Sequence, residues 1–190
     1  YERDMERFGG VNFDKNRYRA FGRVSTSRLF SVGGGFNWGD QIFFDPTSPF
    51  LGRDRGLFSF INIRPISQFN SQININTSRF ATMGGTEIFN VKIFRALNTY
   101  QFTDRLSFRN ITEYNTFDKS LGLNLLITYR VNAGTVFYVG YDDHYQKADR
   151  LFGPDGDVDG DGIPDPFYDP NGFQQTNRAF FTKLQYLFRY

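Results

Sequence analysis

Apolar and polar residues alternate with a period of two along most of the chain, and this leaves few folds open to it. In 120–130, Leu121, Leu123, Leu125, Ile127 and Tyr129 share one parity and oppose Gly122, Asn124, Leu126, Thr128 and Arg130. In 67–80, Gln68, Asn70, Gln72, Asn74, Asn76 and Ser78 form an uncharged polar row, with Phe69, Ile73, Ile75 and Thr77 opposite. Successive side chains of a strand point to opposite faces, so each segment has one apolar and one wet face. Nine segments carry the pattern, at about 16–24, 29–38, 56–65, 67–80, 87–101, 105–115, 120–130, 135–145 and 179–190. Several exceed the ~5–6 residues of an ordinary soluble strand and suit a tilted membrane-crossing strand of about 9–11 residues with overhang. Segment 87–101 is ambiguous, because Phe89, Val91, Ile93 and Leu97 share a parity with Arg95; a bulge that switches faces would account for it. No helical stretch competes.

Composition narrows the function classes. The 190 residues carry a formal charge of +2, with 39% hydrophobic and 22% charged residues. That is enough apolar content to fold, without the cationic excess that nucleic acid selects. The absence of cysteine excludes disulfides, thiolate metal sites and a cysteine nucleophile, and a single histidine removes most familiar catalytic sets. No window of about 18 apolar residues marks a transmembrane helix, but barrel strands produce no such window. Aromatics make up 19% of the chain, which suits interfacial girdles better than a compact aliphatic core. Nothing at the N-terminus has the pattern of a signal peptide, and the chain is expected to be the C-terminal part of a longer exported protein.

The connections sort into two alternating sets. Short turns are expected near Ser25, Thr26 and Ser27, at Pro65 and Ile66, at Thr103 and Asp104, and from Val131 to Gly134. Longer or glycine-rich connections fall at 39–55, Ala81 to Thr86, Phe117 to Lys119 and 146–178. Parity puts the short turns at one end and the longer loops at the other, as outer-membrane barrels require, with 117–119 the exception in length. In the last eleven residues Phe180, Leu184, Tyr186, Phe188 and Tyr190 share one face, interrupted by Thr182, and Phe181, Lys183, Gln185, Leu187 and Arg189 occupy the other. A soluble domain has no reason to hold aromatics at a fraying end. This ending resembles the C-terminal strand of bacterial outer-membrane β-barrels. The resemblance implies that the outer-membrane assembly machinery reads Phe188 and Tyr190 and that the C-terminus is periplasmic.

From about Arg55 to Tyr190 the order of signals also resembles a wider family. Its matching pieces are INIRPISQF (61–69), TYQFTDRLSFRNITEYNTFD (99–118), GTVFYVGYDDHY (134–145) and RAFFTKLQYLFRY (178–190). They are similar to the C-terminal β-barrel domain of bacterial outer-membrane proteins that carry an N-terminal family-9-like carbohydrate-binding module. Residues 1–54 match less clearly. The resemblance implies a link to sugar capture through a part of the protein that precedes these residues.

Chemistry-bearing residues gather on the loops. Asp157, Asp159, Asp161 and Asp165 stand at relative positions 1, 3, 5 and 9, with Gly162 after the third. Alternate carboxylates on a tight loop converge on a hard cation, so Ca²⁺ is the expected cofactor, and a solvated acidic turn is the alternative. The segment is similar to the calcium loops of thrombospondin type 3 repeats and dockerins, although Tyr168 stands where an EF-hand places its glutamate. Asp142, Asp143 and His144 suggest an acid–base pair, but strand neighbours such as Asp143 and His144 point to opposite faces. Glu87 and Glu113 read as isolated rim or lumen charges. The run GGGFNWG at 33–39 has no following helix, which argues against a nucleotide loop; its glycines are expected to relieve crowding. Phe43, Phe44 and Phe50 in 40–55 either pack over the barrel mouth or stack on sugar rings. Tyr18, Trp38, Tyr114, Tyr129, Tyr138, Tyr141 and Tyr145 lie near strand ends, as headgroup-level aromatics or as cross-strand packing.

The expectation is an all-β, antiparallel up-and-down transmembrane β-barrel, of which residues 1–190 are a single segment with about nine strands and a long extracellular loop at 146–178. The expected protein is non-enzymatic and lies in the bacterial outer membrane in contact with its lipid. Its role is structural, in transport or in surface display, with a polysaccharide or small solute as ligand and no nucleic acid. An odd strand number implies an unpaired edge. The alternatives are a TonB-dependent receptor barrel fragment, a soluble calcium-binding β-sandwich of the cell surface and a membrane-embedded hydrolase.

Overall fold

The computed structural model describes residues 1–153, 156, 157, 163, 165 and 168–187. Ten strands follow one another: β1 (Glu2–Phe8), β2 (Val11–Ser25), β3 (Phe30–Phe43), β4 (Phe50–Ile66), β5 (Phe69–Thr82), β6 (Glu87–Gln101), β7 (Leu106–Asn115), β8 (Ser120–Asn132), β9 (Thr135–Lys147) and β10 (Phe173–Tyr186). One helical turn, α1 (Ala148–Leu151), lies between β9 and β10. Each strand pairs antiparallel with its neighbours in sequence, so the chain forms one up-and-down sheet, and β1 and β10 do not meet. The sheet is therefore open, and all ten described strands belong to it rather than to the two layers of a sandwich.

Nine of these strands correspond to the expected segments. The hairpin of β1 with the first half of β2 is additional, and ion pairs cross it. Glu2, Asp4 and Glu6 face Arg17, Lys15 and Phe13 across the pair. The buried Lys15 ammonium bonds Glu6 and lies 3.7 Å from Asp4, and Arg19 meets Glu2 at 3.1 Å. Gly9 and Gly10, at φ 57° and 83°, form the two-residue turn with both φ positive that matches the twist of a hairpin. Such a hairpin has no apolar alternation to betray it.

Three further details differ from expectation. Pro65 and Ile66 lie inside β4, with Pro65 in the irregularity between Ile63 and Ile66; proline is tolerated at such a bulge, and the turn itself is Ser67 and Gln68. The bulge of 87–101 falls at its first residues rather than beside Arg95: Phe80 pairs with Phe89 and Ala81 with Glu87, which leaves Ile88 as the extra residue, and from Phe89 to Tyr100 β6 keeps register against β5. Arg95 and its apolar parity thus stay on one face. β10 starts at Phe173 rather than near 179, because Gln174, Gln175, Thr176 and Asn177 are polar on both parities. Residues 188–190, with Phe188 and Tyr190, lie outside the described residues.

Paired residues share a face, so the register carries parity across the sheet. One face takes Asn70, Asn74 and Asn76 of β5, Arg95 of β6, Glu113 of β7, Asn124 of β8 and Asp142 of β9. It also takes most of the strand glycines, among them Gly33, Gly35, Gly52, Gly56, Gly122 and Gly140. Large side chains lie over several of them: Phe60 over Gly33, Phe58 over Gly35 and Phe181 over Gly140. The other face takes Val32, Phe36, Ile61, Ile73, Phe94, Ile127, Val139, Phe180 and Leu184. The apolar parities singled out in β5, β8 and β10 therefore meet on one side. Phe36, Phe94, Ile127, Phe180 and Leu184 are all exposed there.

The register also sets the tilt. One row runs Ser25, Ser31, Asn62, Gln72, Leu97, Ile111, Asn124, Asp142 and Ala179. Ser25 ends β2 at the short-turn end, whereas Asp142 stands well up β9 from its first residue, Thr135. The stagger is about one residue per strand; with a rise of ~3.3 Å and a strand spacing of ~4.8 Å it corresponds to a tilt of about 35°.

Candidate functional site

Four strands build a groove on the amide-bearing face, lined by Arg95, Ile111, Glu113, Asn115, Ser120, Gly122, Leu123, Asn124, Asp142 and His144. Register brings them together: Arg95 is opposite Glu113, Glu113 opposite Gly122, and Gly122 opposite His144. Arg95 and Glu113 form an ion pair at 3.6 Å. His144 Nε2 lies 3.0 Å from Asp142 Oδ2, and Asn124 donates to the other Asp142 oxygen at 3.4 Å. Gly122 lies between the two pairs, and a Cβ there would meet the His144 ring at 3.4 Å. The groove thus offers a guanidinium, two carboxylates, an imidazole and two amides, a set able to bind a polar, uncharged solute through several hydrogen bonds. Among the described residues no hydrogen bond joins the Ser120 hydroxyl to His144.

The expected site residues separate. Asp143 and His144 lie on opposite faces, as strand geometry requires. Asp143 is 1% exposed on the apolar face, where it accepts from the Tyr141 and Tyr145 hydroxyls, the Gln175 amide and, at 3.2 Å, Arg178. Glu87 pairs with Arg79 at 2.6 Å at the loop end, far along β6 from the Arg95–Glu113 pair. Asp157 and Asp165 lie in the β9–β10 connection, where the Asp165 amide donates to the Gly156 carbonyl; Asp159 and Asp161 lie outside the described residues. Among the described residues no group of three or more acidic or histidine side chains is arranged to hold a metal. Phe43 and Phe50 belong to strands; Phe43 stacks on both Phe50 and Phe80, Phe50 meets Phe80 at a tilt, and Phe89 stacks on Phe80 beyond, while Phe44 meets Phe8 edge-on. Packing is therefore their observed use.

The tyrosines divide as well. Tyr18, Trp38, Tyr114, Tyr129, Tyr141 and Tyr145 share the apolar face, whereas Tyr138 shares the amide face with Thr128 and Lys183. Toward the loop end of the apolar face the rings of Tyr18 and Trp38 stack at 5.3 Å, and Tyr114 meets Phe173. Toward the turn end lie Phe30, Phe69, Tyr100, Tyr129, Phe137 and Tyr186. Between these rows the polar interruptions satisfy one another: Ser71 donates to Asn98 at 2.7 Å, and Asn98 to Asn110 at 3.2 Å.

The connections at the loop end are held by local bonds. The Thr47 hydroxyl, with the Thr47 and Ser48 amides, caps Asp45 and holds its carboxyl below the usual carboxylate range. The Lys119 ammonium does the same for Asp149, fastening α1 to the β7–β8 turn. No protein-family model, curated protein or solved structure matches this chain.

Proposed function

We propose that this chain is the wall of a non-enzymatic β-barrel in the bacterial outer membrane, with a structural, transport or surface-display role linked to carbohydrate capture. One observation carries the reading. An exposed apolar face runs from β2 to β10 between two rows of aromatics, while the opposite face mixes amides, ion pairs and glycines with rings such as Phe21, Phe58 and Phe181. Soluble monomers rarely expose apolar patches beyond a few hundred Å², whereas a barrel presents such a band to lipid and its polar parity to a wet lumen. Internally bonded polar interruptions are what hydrocarbon demands. The tilt of about 35° is that of closed barrels, and the glycines sit on the face that crowds when a sheet curls inward. Short turns lie at the end where β10 finishes, and this supports a periplasmic C-terminus. The polar groove between β6 and β9 then faces the lumen and receives the small solute or sugar.

Spin labels at Ile127 and Asn74 test this in bilayers. Ile127 is expected to be accessible to lipid-soluble oxygen and Asn74 to an aqueous quencher, and the opposite result refutes the membrane reading.

The assembly machinery is the proposed partner of the terminal aromatics. Deleting Tyr190, or Phe188→Ser, is expected to lower the yield of heat-modifiable barrel and leave protease-sensitive chain in the periplasm. An unchanged yield removes that role.

For the long loop, Asp157, Asp159, Asp161 and Asp165 are the proposed Ca²⁺ ligands, with an extracellular-type affinity on the order of 10⁻⁴–10⁻³ M. Calcium is expected to slow proteolysis within the loop while leaving global unfolding little changed. Calorimetric titration of wild type against Asp159→Asn with Asp161→Asn measures it, and equal heats leave only an acidic turn.

A further inference from the structure

The loop-end row of aromatics on the apolar face is interrupted on three adjacent strands. Where β2 and β3 place Tyr18 and Trp38, the same row continues with Arg55 of β4 and Arg79 of β5, and Lys92 of β6 stands one row nearer the apolar band. Arg53 lies two residues beyond Arg55 on the same face. Together Arg53, Arg55 and Arg79 line a recess with Ala81, Thr82 and Gly85, and all four cationic side chains are exposed.

This placement is costly without a ligand. Like charges directly opposite on neighbouring strands repel, and Arg55 and Arg79 are direct partners. Glu87 meets the Nε of Arg79 at 2.6 Å. Asp40, the cross-strand partner of Arg53, instead accepts from the backbone and side-chain amides of Asn16, at 3.0 and 3.4 Å. Among the described residues no carboxylate forms an ion pair with Arg53 or Arg55. Planar guanidinium forks grouped in this way match the oxygens of a phosphate, which they bind bidentately.

Position identifies the phosphate's carrier. The recess opens at the edge of the apolar band, beside the Tyr18–Trp38 stack, and Leu57, Ile61, Ile73 and Ile75 continue from it along β4 and β5 on the same face. A phosphate held by the arginines would leave an attached acyl chain lying along those residues. Resting on the membrane reading above, we propose that Arg53, Arg55 and Arg79 form a site for the phosphate of an anionic lipid in the outer leaflet.

Trp38 is the sole tryptophan of the chain and the register partner of Arg55, so its emission reports on the site. The full 190-residue chain is mixed with vesicles of phosphatidylcholine alone, or with a minor fraction of phosphatidic acid, or with oleate at the same surface charge; flotation records uptake and Trp38 emission records occupancy. The expected result is uptake by all three, with a saturable emission change for phosphatidic acid alone. Arg53→Gln with Arg55→Gln, which leaves the Arg79–Glu87 pair intact, should weaken that change about tenfold or more through the loss of charge-assisted bonds. Arg28→Gln with Arg105→Gln, at the turn end, removes the same charge and should leave it unaltered.

Equal responses to oleate and phosphatidic acid, or equal weakening by both pairs of substitutions, reduce the effect to general charge and overturn the site. A response to inorganic phosphate at the same concentration overturns the lipid as its source. Normal flotation without a phosphatidic acid response overturns the site and leaves the membrane reading standing, whereas failure to float with any vesicle overturns both.

Discussion

Ile127→Arg is expected to destabilise the chain in lipid vesicles by about 1–3 kcal/mol, the cost of a cation on the lipid face of a barrel between its midplane and its interface. Ile127 is 45% exposed between Phe108 and Val139 on the apolar face. Were that face wetted by water, so exposed a position would accept arginine within about ±0.5 kcal/mol. The two readings of the sheet thus differ severalfold at one residue. Thr128→Arg, one position along on the amide face between Ser107 and Tyr138, supplies the comparison, with an expected loss below about 1 kcal/mol. Urea unfolding of both variants in vesicles gives the measurement, and equal losses would remove the distinction between lipid face and lumen face.

Gly39→Ala is the second large effect, and it tests the fold independently of the membrane. Gly39 has φ 144°, and a Cβ there would lie 2.1 Å from the Asn16 carbonyl oxygen and 2.8 Å from the Arg17 Cα. Both contacts are backbone, so no side chain can swing aside. The strained conformation alone costs on the order of 1–3 kcal/mol, and the clash adds to it by forcing β2 and β3 apart where Arg17 and Asp54 flank Gly39. Gly22→Ala is the contrast: nothing lies within 4 Å of its Cβ position, and the smaller entropy of the unfolded chain should make it neutral or stabilising by about 0.4–1 kcal/mol. Equal midpoints for the two variants would show that β2 and β3 do not approach as described.

Both predictions draw on features of different legibility. The face of Ile127 was readable from its own strand, since a period of two needs no neighbour to be recognised. The constraint on Gly39 was not, because GGGFNWG shows glycines without showing which of them meets another backbone. The first hairpin was hidden for a related reason. Glu2, Asp4 and Glu6 are stabilised by Lys15 and Arg19 across the pair, and charge complementarity between segments leaves no apolar signature within either. Arg95 was ambiguous in sequence and became intelligible once Glu113 stood opposite it.

By itself the sequence determined that the chain is all-β, where most strands run, that short and long connections alternate, and which parity of β5, β8 and β10 is apolar. Each is a local property, set by backbone pleat and turn chemistry within a few residues. The tertiary structure alone decided that these apolar parities meet on one side of one open sheet. It also set the stagger of about one residue per strand, and with it the tilt. It brought Arg95, Glu113, Asp142 and His144 into one groove and set Arg55 against Arg79. Those outcomes depend on register, which arises from the whole ladder of pairings between strands, and no single segment contains it.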